Sequence, residues 1–128
     1  MRFLSRTAAR AACLAILTAT LLSTGCNRGP TKSKVAVVTN NAFQFWQFAK
    51  RGAEDAGKKF DIDVEIKMPP RGNAEEQVQI CEDLLVRGIK GISISSNDAV
   101  NMAEFYRTKV APRVPFVTMD SDVPDPKI

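Results

Sequence analysis

The chain has 128 residues, with 18 Lys and Arg against 14 Asp and Glu, and it contains no histidine. Three of the basic residues, Arg2, Arg6 and Arg10, fall in the first ten positions, so from Cys26 onward 15 basic residues face 14 acidic ones, and no basic block with interleaved aromatics remains for a nucleic acid. The absence of histidine excludes a zinc site of the usual Cys/His kind, a Ser-His-Asp triad and a Cys-His pair.

Met1 to Arg10 is basic with no acid, and Ala11 to Leu22 is an apolar run broken only by Thr18 and Thr20. A basic start, an apolar stretch too short to span a bilayer and then small residues describe a secretory signal over residues 1–25. Leu21-Leu22-Ser23-Thr24-Gly25-Cys26 resembles a bacterial lipobox, with Ser23 where leucine is usual. That resemblance implies cleavage before Cys26 and lipid on its thiol and amino group, hence a lipoprotein on the outer face of a bacterial membrane. Cys13 leaves with the signal, so Cys81 stands alone with no disulfide partner. Residues 26–33, with the breaker Gly29-Pro30, read as a tether. The remaining ~100 residues suffice for one small domain or half of a larger one.

A regular rhythm follows. Val35 to Val38 is a short apolar run suited to a strand buried on both faces. Phe45, Phe48, Ala49, Gly52, Ala53 and Ala56 have helical spacing and predict one buried helix face ending near Lys59. Ile62, Val64 and Ile66 alternate with charged residues, which predicts an edge strand. Asn73 and Glu76 have capping-box spacing, and Val78, Cys81, Leu84 and Leu85 continue a helix stopped at Gly88. Ile89 to Ser95 reads as a third strand. Asp98 to Val110 reads as a third helix, with Ala99, Met102, Ala103, Tyr106 and Val110 inward and Pro112 beyond its end, and Val114 to Met119 as a fourth strand. Strict alternation predicts an α/β fold: an open parallel sheet with right-handed crossovers and strand order 2-1-3-4. Ser121 to Ile128 has turn chemistry with no helix after it. The outer flank of the fourth strand is then uncovered, and the chain reads as part of a larger lobe.

In such sheets ligands bind beyond the carboxyl ends of the strands, where the strand order reverses. Thr39 to Trp46, Met68 to Asn73, Ser95 to Asp98 and Asp120 to Asp122 are placed there. The first segment holds two amides and three aromatics. Phe45 fits either the core stripe or a binding platform. Trp46, at the edge of that stripe, either faces the cleft as a platform for the apolar face of a sugar or, as the single tryptophan of a small domain, packs in the core. Asn41 suits hydroxyl groups or a turn. Asp120, emerging from a buried run, can accept hydrogen bonds from two hydroxyls or cap a helix, and Asp122 is a second candidate. Arg71 either reaches the cleft or is solvated, and capping accounts for Ser95 to Asp98. No carboxylate pair is poised for acid/base work, and no glycine-rich phosphate loop is present, so no catalytic residue, cofactor or metal is expected.

Taken together, KVAVVTNNAFQFW with Gly52 one helix later, then EEQVQICEDLLVRGIKGISISSNDAV, then VPFVTMDSD, resemble the start of a periplasmic sugar-binding protein of the ribose-binding-like group that serves ABC importers. The resemblance covers Lys34 to Asp122. It implies that residues 34–128 belong to the N-terminal lobe of a two-lobed clamp, a monomer that closes on one monosaccharide or similar polyol and delivers it to a permease. It also implies that Phe45 and Trp46 stack on the sugar. Asn41, or Phe43 in its place because the turn is two residues longer, lies near a hydroxyl, and Asp120 binds hydroxyls. In the family an arginine commonly follows that aspartate; here Ser121 follows, so Asp122 or Arg71 would have to compensate. The second lobe and hinge strands of the family lie outside these residues, and the 128 residues alone are expected to bind sugar weakly or not at all. A ligand-sensing domain of the same fold that presents sugar to a receptor, and an exported α/β enzyme with catalytic residues beyond Ile128, are the alternatives.

Overall fold

The computed structural model describes residues 31–128. The signal-like segment, Cys26 and most of the expected tether lie outside the described residues. Lys32 to Ile128 form one compact unit.

The elements in chain order are β1 (Lys34–Val38), α1 (Gln44–Phe60), β2 (Asp63–Lys67), α2 (Ala74–Val86), β3 (Ile92–Ile94), α3 (Ala103–Phe105), which runs straight into a π-helical turn (Tyr106–Val110), and β4 (Phe116–Thr118). The four strands form one parallel sheet in the order β2-β1-β3-β4, as the alternation predicts. Ser33, at the end of the expected tether, already accepts a 2.9 Å hydrogen bond from the Asp63 amide and so continues the line of β1 beside β2.

Strand parity sorts the layers. Ala36, Val38, Ile92 and Ile94 point to one face and are buried beneath Cys81, Leu84 and Leu85 of α2 and Met102, Tyr106 and Val110 of the third helical segment. The Tyr106 ring stacks on Phe116 at 5.1 Å, which seals β4 into this layer. Burial pushes the Cys81 thiol up to about 12, so it behaves as a small apolar core residue. Val35, Val37 and Ser93 point to the other face and are only half-buried, while Val117 is exposed. There α1 covers the β2 side: a Cβ on Gly57 would meet Val64 Cγ2 at 2.9 Å and the Ile62 carbonyl at 3.0 Å.

β2 is the edge strand, and its charges are tied down. Glu65 accepts a fork of hydrogen bonds from Arg87, at 3.0 Å from Nη1 and 2.8 Å from Nη2, while Lys67 Nζ lies 2.9 Å away. This arrangement blunts the open edge against pairing with another strand.

Two expectations require correction. The third helix is not α-helical from Asp98. The Asp98 carboxylate takes the backbone and side-chain N–H groups of Asn101 at 3.1 and 2.7 Å, an N-cap-like contact, but residues 98–102 form turns and regular α-helix begins only at Ala103. After Phe105 the ladder lengthens to π spacing, with the Ala111 amide donating to the Tyr106 carbonyl at 2.9 Å. The inward set still comes through: Met102, Tyr106 and Val110 are buried, and Ala99 and Ala103 pack against them. The buried face of α1 is also rotated from the predicted one. Phe45 and Phe48 are exposed, and the inward stripe runs through Trp46, Ala49, Ala53, Ala56 and Gly57. Small residues along that stripe let the helix approach β2 closely, which a stripe led by Phe48 would prevent.

Candidate functional site

β1 and β3 are neighbours in the sheet, yet the chain leaves them in opposite directions, from β1 through α1 to β2 and from β3 to β4. Their carboxyl ends therefore flank the crevice at the reversal of strand order. The four segments expected there are laced into one edge.

The segment after β1 is built around Asn40. Its Oδ1 accepts from the Trp46 indole Nε1 at 2.8 Å and from Asn41 Nδ2 at 2.7 Å. Asn41 Oδ1 accepts from the Phe43 amide at 2.8 Å, an Asx turn that opens α1. Thr39, buried, donates from Oγ1 to the Asn41 carbonyl at 2.5 Å. These bonds bury one of the two rings expected at the platform. Trp46 is 4% exposed and its donor is used internally, so it does not present a free face to the cleft. Phe45 is 64% and Phe43 74% exposed. The Phe45 ring stands edge-on to Trp46, with centroids 5.1 Å apart and planes at 77°, so the buried indole backs the exposed ring.

The segment after β2 packs onto the first. Gly72 has φ 61°, and a Cβ there would lie 3.1 Å from the Asn40 carbonyl oxygen and 3.3 Å from Asn41 Cβ. Arg71 donates from its amide and from Nε to the two Glu76 carboxylate oxygens, each at 2.9 Å. Partial desolvation raises the Glu76 pKa, but the hydrogen bonds from Arg71 outweigh it and hold the carboxyl below its ordinary value. The expected capping box is thus half formed. Asn73 Oδ1 accepts from the Glu76 amide at 2.9 Å, while the Glu76 carboxylate serves Arg71.

The segments after β3 and β4 join through a side chain. Buried Ser95 donates from Oγ to Asp120 Oδ2 at 2.8 Å, so capping does not account for Ser95. Asp120 is exposed and adopts φ 61°, a conformation that Asp tolerates better than most residues. Asp122 Oδ1 accepts from Thr118 Oγ1 and from the Val123 amide, the latter at 3.0 Å, which closes the turn after β4.

One residue beneath this edge escaped the sequence reading. Gln77, fully buried in the first turns of α2, bonds to the backbone of Thr39, Ser95 and Asn97. Its signal was available, because 77, 81 and 84 share one helix face and Cys81 and Leu84 on that face are apolar. A polar side chain in an apolar stripe is there for its hydrogen bonds. The edge as a whole offers an exposed ring, an oriented carboxylate and side-chain amides, a set suited to holding a polyhydroxylated molecule. Among the described residues no group of three or more metal-ligating side chains comes together.

Comparison with known proteins gives the family. Residues 35–128 match the periplasmic binding protein domain. The chain belongs to that family. The D-allose-binding periplasmic protein of Escherichia coli (strain K12) is 36% identical over 59 residues, which are 45% of this chain and 19% of that protein. A solved ABC transporter solute-binding protein from Burkholderia graminis C4D1M, in complex with D-arabinose, is 30% identical with TM-score 0.68, covering 76% of this chain and 34% of that one. A carbohydrate transporter solute-binding protein from Agrobacterium radiobacter, also with D-arabinose, shares the fold at TM-score 0.70 and 20% identity, over 78% of this chain and 34% of that one. This periplasmic binding protein domain therefore spans 34% of the length of both solved relatives. Its parallel α/β sheet in the order 2-1-3-4 is the arrangement expected of part of a lobe in that fold.

Proposed function

We propose that the protein is an extracytoplasmic solute-binding protein that captures a monosaccharide or similar polyol at the carboxyl edge of this sheet and hands it to an ABC importer permease. The observation that carries the reading is the pairing, on one laced edge, of an exposed Phe45 ring backed by Trp46 with the exposed Asp120 carboxylate oriented by Ser95. A sugar has an apolar face, which suits the ring, and hydroxyls around its rim, which suit the carboxylate. Phe43 extends the apolar platform. Asn41 retains one amide hydrogen and one lone pair for a hydroxyl, Arg71 its two Nη groups, and Asp122 its second oxygen. Trp46 acts from below the platform.

In the same reading the first 25 residues are a signal and Cys26 carries the lipid that holds a monomeric protein at the membrane. The sugars bound in solved structures of the same fold, D-allose, D-arabinose, L-rhamnose and D-tagatose, set the first panel. The native protein, purified from the membrane fraction, is titrated with each while Trp46 emission and heat are followed. The expected result is saturable binding of one or more, weakened at least about tenfold by Phe45→Ala, the loss of one stacking contact in a desolvated site. Silence across the panel in both signals would refute the sugar reading. Intact mass of the same preparation tests the anchor, since diacylglycerol on Cys26 is expected and an unmodified Cys26 would remove it.

A further inference from the structure

We infer that Gln77 is a positioning residue for the sugar site: its buried carboxamide sets the spacing between the segment that carries the aromatic platform and the segment that orients Asp120. The inference rests on the proposed sugar site for its meaning but on separate geometry for its support.

Gln77 is fully buried, and every hydrogen-bonding position of its carboxamide is taken. Nε2 donates to the Thr39 carbonyl at 3.0 Å and to the Ser95 carbonyl at 2.7 Å. Oε1 accepts from the Asn97 amide at 2.8 Å and from the Tyr106 hydroxyl at 3.3 Å. The last regular ladder bond between β1 and β3 runs from the Ser95 amide to the Val38 carbonyl, so the Thr39 and Ser95 carbonyls lie where the two chains part. Two acceptors side by side cannot bond each other, and only a donor with two hydrogens can hold both. A primary amide supplies that donor and also offers an acceptor to the backbone beyond.

Both ends of the bridge lead into the site. Thr39 precedes Asn40, whose Oδ1 fixes the Trp46 indole beneath Phe45. Ser95 holds Asp120. A change in the Thr39–Ser95 separation therefore moves the ring relative to the carboxylate. Tyr106 steadies the amide from the far side and shares its hydroxyl with buried Ser96 at 3.1 Å.

The test uses Gln77→Glu, which keeps the shape and Oε1 but loses both donors, and Gln77→Met, which keeps the approximate length and loses all four bonds, each in the native protein. Without sugar, both variants are expected to shift Trp46 emission to the red. With the panel sugar that the wild type binds, affinity should fall at least about tenfold at temperatures far below melting, because a displaced contact set loses orientation as well as bonds. If both variants melt earlier but, while folded, keep wild-type emission and affinity, Gln77 is only structural and the inference fails. Should neither variant fold, the wild type decides. The two Nε2 protons of Gln77 should be protected from solvent exchange and change their chemical shifts on sugar binding. Free exchange of those protons would overturn the inference. If the wild type binds no panel sugar, the emission and exchange measurements still decide the positioning claim, while the sugar reading falls separately.

Discussion

Gly72 is where the glycine requirement at the carboxyl edge of the sheet can be measured. Replacing it with alanine meets two separate costs. Its φ of 61° is left-handed, which costs an L-residue about 1–2 kcal/mol, partly offset by about 0.4–1 kcal/mol because alanine has less freedom to lose from the unfolded chain. The new Cβ would also lie 3.1 Å from the Asn40 carbonyl oxygen, a backbone atom that can yield only if the whole segment after β1 moves. Overpacking of this kind costs about 1 kcal/mol or more. Gly88 separates the two effects, since it has φ 76° but nothing within 4 Å of its Cβ position. Gly88→Ala is thus expected to destabilise by about 1 kcal/mol or less, and Gly72→Ala by about 2 kcal/mol. Urea unfolding followed by the single tryptophan measures both. Because Trp46 is bonded to Asn40, only Gly72→Ala should also change the emission of the folded state. Equal losses for the two variants, with unchanged folded-state emission, would refute the close packing of the β2–α2 segment on the β1–α1 segment.

Other consequences are independent of that edge. Hydrogen bonds from Arg87, and then from Lys67, hold the Glu65 carboxyl at about 2, below its ordinary 4.5. A lowered carboxyl stabilises the fold at pH values above 4.5, and that contribution disappears as pH falls from about 4.5 through about 2. Allowing for solvent around Arg87, Glu65→Gln should cost about 1–2 kcal/mol at pH 7 and nothing near pH 2, so a pH-independent difference in urea midpoints would contradict the linkage. Gly52 lies on the exposed side of α1 with nothing within 4 Å of its Cβ position, so Gly52→Ala should stabilise by about 1 kcal/mol through helix propensity, read as a higher melting temperature; no gain would mean that this face is covered.

The sheet was legible because it rests on strong, short-range signals. The apolar run at Val35–Val38, the charge alternation through Glu65 and the alternating helices together fix a parallel sheet with β2 at its edge, and no side-chain detail is needed to reach that topology. The third helix was less legible because periodicity reports which residues face inward, not how the backbone reaches them. Met102, Tyr106 and Val110 are buried whether the intervening turns are α, π or irregular. The turns at residues 98–102 and the π spacing after Phe105 leave no trace in a hydrophobic pattern.

The site shows the sharper limit. Two overlapping stripes run along α1, one through Phe45, Phe48 and Gly52 and the other through Trp46, Ala49, Ala53 and Gly57, about 100° apart in helix rotation. Counting aromatics favours the first. Packing chooses the second, because alanine and glycine permit the close approach to Val64 and because Asn40 supplies an acceptor for the indole. A helix that buried Phe45 and Phe48 would hold the backbone away from β2. Exposure of Phe45 is then the counterpart of burying Trp46, since neighbouring residues on a helix cannot both point into the sheet. The aromatic pair divides accordingly: one ring anchors the turn through Asn40, and that anchorage leaves the other exposed in the first turn of α1, edge-on to its support.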